Sequence, residues 1–169
     1  ADDFVISSSD GSTNGNIDAG AIDGGDTVSL GVALTTTGDN EGIVTTNVDN
    51  VDDGNTITIS DTGSIKTTGD EAHGILNLGD DNKITISGTV SATGTDANAL
   101  INFSGSGNSF TLNEGAVIIG DISAGSTSTN NKLKFNLGAS SSYAYTVGGG
   151  GAGTGAGQWT FTDQDGRTQ

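Results

Sequence analysis

Short blocks in which apolar and polar residues alternate return along this chain at a near-constant interval. Asn55-Thr56-Ile57-Thr58-Ile59-Ser60 is followed by Asn82-Lys83-Ile84-Thr85-Ile86-Ser87, then by Asn108-Ser109-Phe110-Thr111-Leu112-Asn113, then by Asn131-Lys132-Leu133-Lys134-Phe135-Asn136. The Asn-to-Asn steps are 27, 26 and 23 residues, and Asp26-Thr27-Val28-Ser29-Leu30 begins 29 residues before Asn55. Period-two alternation predicts a strand with one buried face in each block. Repeats of this length made only of strands and turns indicate a solenoid. One repeat holds three short strands with their turns, which is one coil of a parallel β-helix.

The rest of each repeat supports that division. After Val28 and Leu30 come Val32-Ala33-Leu34, a Thr-Gly-Asp corner at 37–39, and a third strand at Gly42-Ile43-Val44. The same order recurs as Gly63-Ser64-Ile65, Thr68-Gly69-Asp70 and Gly74-Ile75-Leu76-Asn77-Leu78, and again as Thr89-Val90, Gly94-Thr95-Asp96 and Ala99-Leu100-Ile101-Asn102-Phe103. A shared corner means that the chain turns at the same place in each coil, with glycine supplying positive φ where needed. In the fourth repeat the corner changes, and Val117-Ile118-Ile119 is expected to face both core and neighbour. The prediction is an all-β, right-handed parallel β-helix of about six coils, a rod roughly 30 Å long at the strand spacing of a sheet. Residues 1–25 form the N-terminal coil or cap, 26–137 the repeats, and 138–169 a glycine-rich and aromatic C-terminal cap. Tyr143, Tyr145, Trp159 and Phe161 are read as a hydrophobic lid over the last coil, since an uncovered solenoid end exposes strand edges. Asn55, Asn82, Asn108 and Asn131 fall at one corner of successive coils. There side-chain amides can form a hydrogen-bonded ladder, and Asn tolerates a left-handed turn. Ordinary turn asparagines would give the same letters.

Composition then narrows the chemistry. The formal charge is −16 with only five Lys or Arg, which argues against phosphate backbones and anionic lipid surfaces as partners. There is no Pro to interrupt a ladder and no Cys for disulfides or thiolate metal sites. Many carboxylates lie at corners near Gly or Asn, among them Asp39, Asp49, Asp52, Asp53, Asp70, Asp80, Asp81 and Asp96, where turn chemistry accounts for them without catalysis. Gly24-Gly25-Asp26, Asp52-Asp53-Gly54-Asn55 and Gly79-Asp80-Asp81-Asn82 put oxygen ligands at one corner of successive coils, as Ca²⁺ requires. They lack the glycine-rich nonapeptide of repeat-type calcium binders, so they are read as solvated turn acids. The sole histidine, His73, lies in a Glu-Ala-His-Gly corner with no nucleophile assigned to it by spacing. No catalytic residue, metal or cofactor is expected. Outward Thr56, Thr58, Thr85 and Thr111 suggest an ice-ordering hydroxyl array, but Lys83, Ser109, Lys132 and Lys134 break it.

The stretches Thr-Thr-Gly-Asp-Asn-Glu-Gly-Ile at 36–43, Thr-Thr-Gly-Asp-Glu-Ala-His-Gly-Ile at 67–75 and Asn-Ser-Phe-Thr-Leu-Asn-Glu-Gly-Ala-Val-Ile-Ile-Gly-Asp-Ile at 108–122 resemble the passenger domains of bacterial autotransporters, as does Gly157-Gln158-Trp159-Thr160-Phe161-Thr162. That resemblance implies a right-handed β-helix at a Gram-negative surface or in the medium, exported by a signal peptide and followed in its precursor by an outer-membrane β-barrel. A start at Ala1-Asp2-Asp3 without Met is expected of a chain cut after a small-residue signal site, and an expressed segment of a longer chain would look identical. The expected function is that of a displayed structural or adhesive module with no enzymatic activity. Its partner would be a host or neighbouring-cell ligand met by loops 45–54 and 123–130 or by a strand face, or another copy of the chain. The alternative is a non-catalytic fragment of a carbohydrate-active or protease-bearing passenger.

Overall fold

The computed structural model describes residues 25, 27–36, 38–45, 54–125 and 128–136 with their side chains, and the backbone of 3–6, 13–14, 17–18, 147–149 and 159–162. The chain is a parallel β-solenoid of about four turns with three parallel sheets. The first turn described with side chains contains β4 (Thr27–Leu30), β5 (Ala33–Thr35) and β6 (Ile43–Thr45), preceded by backbone strands β1 (Asp3–Ile6), β2 (Thr13–Asn14) and β3 (Ile17–Asp18). There follow β7 (Thr56–Ile59), β8 (Ser64–Thr67) and β9 (Ile75–Asn77), then β10 (Lys83–Ile86), β11 (Thr89–Ala92) and β12 (Asn98–Asn102). The fourth turn holds β13 (Ser109–Asn113), β14 (Val117–Ile119) and β15 (Asp121–Ala124), and β16 (Asn131–Asn136), β17 (Val147–Gly149) and β18 (Trp159–Thr162) come after it. About six coils were expected from the repeat; the four turns β4–β15 are those described with side chains in all three strands.

Each strand pairs with its counterpart one coil away. The first sheet runs β1-β4-β7-β10-β13-β16-β18, the second β14-β11-β8-β5-β2 and the third β17-β15-β12-β9-β6-β3. Register follows the sequence repeat: Val28, Ile57, Ile84, Phe110 and Leu133 share one level, and Leu30, Ile59, Ile86 and Leu112 the next inward one. Leu34, Ile65, Val90 and Ile118 stack on the second sheet, and Ile43, Ile75, Leu100 and Ile122 on the third. Together they make one apolar column along the axis. Burying a side chain of this size contributes roughly 1.5–3 kcal/mol, so the column is the main source of stability in a chain without cross-links. Val117-Ile118-Ile119 splits in strict alternation. Ile118 packs on the core, whereas Val117 and Ile119 stand exposed on β14, the last strand of the second sheet among the described residues.

The ladder of the first sheet continues past residue 137 to β18, where the backbones of Trp159 and Phe161 stand in register with Asn131 and Leu133. The side chains of these two residues, and Tyr143 and Tyr145 entirely, lie outside the described residues.

The corners correct two expectations. The ladder asparagines do not adopt the left-handed conformation; the residue just before each one does, at Gly54, Asp81, Gly107 and Asn130, with φ between 47° and 75°. At the corner before the third sheet the left-handed residues are Gly38, Glu71 and Asp96. Gly69 and Gly94 have ordinary φ and serve a different need: a Cβ on Gly69 would lie 1.9 Å from the carbonyl oxygen of Gly38, and one on Gly94 1.8 Å from that of Gly69. Glycine is required there because adjacent coils stack backbone on backbone.

Candidate functional site

Two asparagine columns run along the corner between the third sheet and the next coil of the first. In the outer column the backbone N–H of Asn55 donates to Asn82 Oδ1 at 2.9 Å, that of Asn82 to Asn108 Oδ1 at 2.8 Å, and that of Asn108 to Asn131 Oδ1 at 2.9 Å. All four residues are buried. The ladder thus links side chain to backbone, one coil to the next, rather than amide to amide.

A second column, unremarked in the sequence, stands at the end of the third-sheet strands. Thr45 Oγ1 donates to Asn77 Oδ1 at 2.5 Å, and Asn77 Nδ2 to Asn102 Oδ1 at 2.6 Å. Asn82 Nδ2 and Asn108 Nδ2 cross-brace the columns to Asn77 Oδ1 and Asn102 Oδ1, at 3.0 and 3.2 Å. The signal was present as Leu76-Asn77 and Ile101-Asn102 at matching repeat positions, but an asparagine inside an apolar run reads as an outward residue until the register is known. The column stops at Ala124, in register with Asn102, which leaves Asn102 Nδ2 buried and without an acceptor.

The acidic corners divide into two kinds. Asp70 Oδ1 accepts the Thr95 N–H at 3.1 Å and Asp80 Oδ1 the Ser106 N–H at 2.6 Å, so these carboxylates staple successive coils. Among the described residues no three His, Cys, Asp or Glu side chains are grouped to hold a metal. Asp26, Asp49, Asp52 and Asp53 lie outside the described residues. His73 is a staple as well: its Nδ1 accepts the Asn98 N–H at 3.0 Å, which makes Nε2 the protonated nitrogen of the neutral ring. Burial holds the imidazole below its usual pKa, against the raising effect of the Glu41 and Glu71 carboxylates.

The other kind lines a groove of about 260 Å³ across the outer side of the third sheet. Asp39, Glu41 and Glu71 line it from the corner, together with His73. Leu76 from β9, and Leu78 and Phe103 just beyond the ends of β9 and β12, supply its apolar lining. Phe103 is 56% exposed, the largest exposure of a bulky apolar side chain among the described residues. Unlike Asp70 and Asp80, these three carboxylates accept no hydrogen bond among the described residues.

Among the residues described with side chains, the outward face of the first sheet from β4 to β16 is polar. Ser29, Thr58, Thr85 and Thr111 form one column, and Thr27, Thr56, Lys83, Ser109 and Lys132 the other, so lysines interrupt the second column and Lys134 follows Thr111 in the first. Comparison with protein-family models, with curated proteins and with solved structures finds no match to this chain.

Proposed function

We propose that the chain is a stiff display rod, a structural or adhesive module carried at the surface of a Gram-negative cell or released from it. On this reading it is built as a right-handed β-helix in the manner of autotransporter passengers and is joined in its precursor to an outer-membrane barrel. The observation that carries the proposal is the paired asparagine ladder. Asn77, Asn82, Asn102 and Asn108, all fully buried, are engaged in coil-to-coil bonds. The staples Asp70, His73 and Asp80 act the same way. Polar chemistry that an enzyme would turn toward a substrate is here turned along the axis, where it resists shear between coils. Such a rod needs no disulfide and is suited to growing coil by coil on emergence from a membrane.

Fractionation of the native cells with an antibody against this segment tests the proposal. We expect a band well above 16.7 kDa in the outer membrane that protease shaving of intact cells removes, or a band in the medium. Recovery only from the cytoplasm would overturn it.

A further inference from the structure

We propose that the groove on the third sheet docks an extended segment of a partner polypeptide that carries a lysine or arginine side chain beside an apolar one. The groove lining is of two chemical kinds. Three carboxylates without hydrogen-bond partners among the described residues line it from the corner before the third-sheet strands, while Leu76 on β9 and Leu78 and Phe103 just beyond the strand ends offer hydrocarbon. Long basic side chains match that division, because they lay an apolar stem on hydrocarbon and present the charged head beyond it. The exposed ring of Phe103 can also face a cation. At about 260 Å³ the groove holds side chains and a short stretch of backbone, not a folded element. A second copy of this chain is the wrong occupant, since at −16 with five basic residues two copies repel. The same charge draws a cationic partner in. The groove is independent of where the rod is displayed.

The chain's single histidine lies in the groove, so its imidazole resonances report occupancy without labelling ambiguity. Titration of the full chain with the capped dipeptide acetyl-lysyl-leucine amide should move them saturably, whereas the neutral acetyl-norleucyl-leucine amide should not. Glu41→Gln and Glu71→Gln should each weaken binding about 2- to 5-fold, the effect expected of partly exposed charges, and more salt should weaken it further. Phe103→Ser should weaken it too, and an unchanged far-UV circular dichroism spectrum would show that each variant keeps the fold. Equal binding of the norleucyl peptide, or undiminished binding by the Glu41→Gln/Glu71→Gln double variant, would overturn the proposal. So would n-butylammonium binding as tightly as the dipeptide, which would reduce the site to a small-cation site. None of these outcomes bears on the location of the rod.

Discussion

At the scale of single residues, a side chain matters here according to the bond it makes to the next coil. Asn108 accepts the Asn82 N–H through Oδ1 and donates through Nδ2 to Gly79 O at 2.9 Å and to Asn102 Oδ1. Asn108→Ala leaves the buried Asn82 N–H unpaired, at about 1–3 kcal/mol, while Gly79 O and Asn102 Oδ1 each keep the bond from Asn77 Nδ2. We therefore expect a clear fall in the urea midpoint, against a change within about 0.5 kcal/mol for Thr85→Ala on the outward face. His73 adds a pH dependence whose direction is fixed by its environment. Its folded pKa is lowered, so the unfolded state binds the proton more readily and folded stability rises with pH through this group. The contribution is fully present above the unfolded value near 6.5 and is lost as pH falls through the folded value. Protonation also fills the Nδ1 lone pair that accepts the Asn98 N–H. Urea denaturation at a series of pH values should show this fall in the native chain. His73→Gln should flatten it between neutral pH and the carboxylate range, and an unflattened profile would refute the assignment.

At the scale of the coil, corners decide what the strands can do. Gly94→Ala would drive a Cβ into the Gly69 carbonyl, which the ladders on either side hold in place. A loss of roughly 3 kcal/mol is expected from such overpacking. The inner asparagine column allows a test in the opposite direction. Ala124 stands above Asn102 and below the backbone of Gly149, so Ala124→Ser offers the orphaned Nδ2 an acceptor where the next strand brings no side chain. The urea midpoint should rise by the equivalent of about 1 kcal/mol; a fall would mean that Asn102 is not the column's unmet donor. These corners also mark the limit of what could be read from letters. Strand positions were legible because Ile57, Ile84 and Phe110 repeat with period two inside a period near 26. The role of Gly69 and Gly94 was not, because a glycine needed for close stacking and one needed for positive φ look alike in sequence. The groove was likewise hidden: Glu41 and Glu71 come from successive coils and Phe103 from a third, so only the wound chain brings them to one place.

At the scale of the whole molecule, the pairings join each coil only to its neighbours, and this makes the repeat a removable unit. Deleting residues 82–107, one repeat from Asn82 to the residue before Asn108, sets Asn108 above Asn55 and Phe110 above Ile57. It also places Ile118 on Ile65 and Ile122 on Ile75, so every core level keeps an apolar partner. A solenoid with nearest-neighbour coupling tolerates this change. The shortened chain should keep its β-sheet circular dichroism and unfold in one cooperative transition, with lower stability because one layer of Ile84, Ile86, Val90 and Leu100 is gone. Deleting only 82–94 removes β10, β11 and Gly94, so that the third-sheet strand β12 follows almost directly on the corner at Asp81, where a first-sheet strand belongs. Inward and outward positions then fall out of phase along the rest of the rod, and a one-residue slip is enough to turn a strand's apolar set outward. That chain should lose cooperative unfolding. If both deletions abolish folding alike, stability comes from interactions along the whole chain rather than from coil on coil.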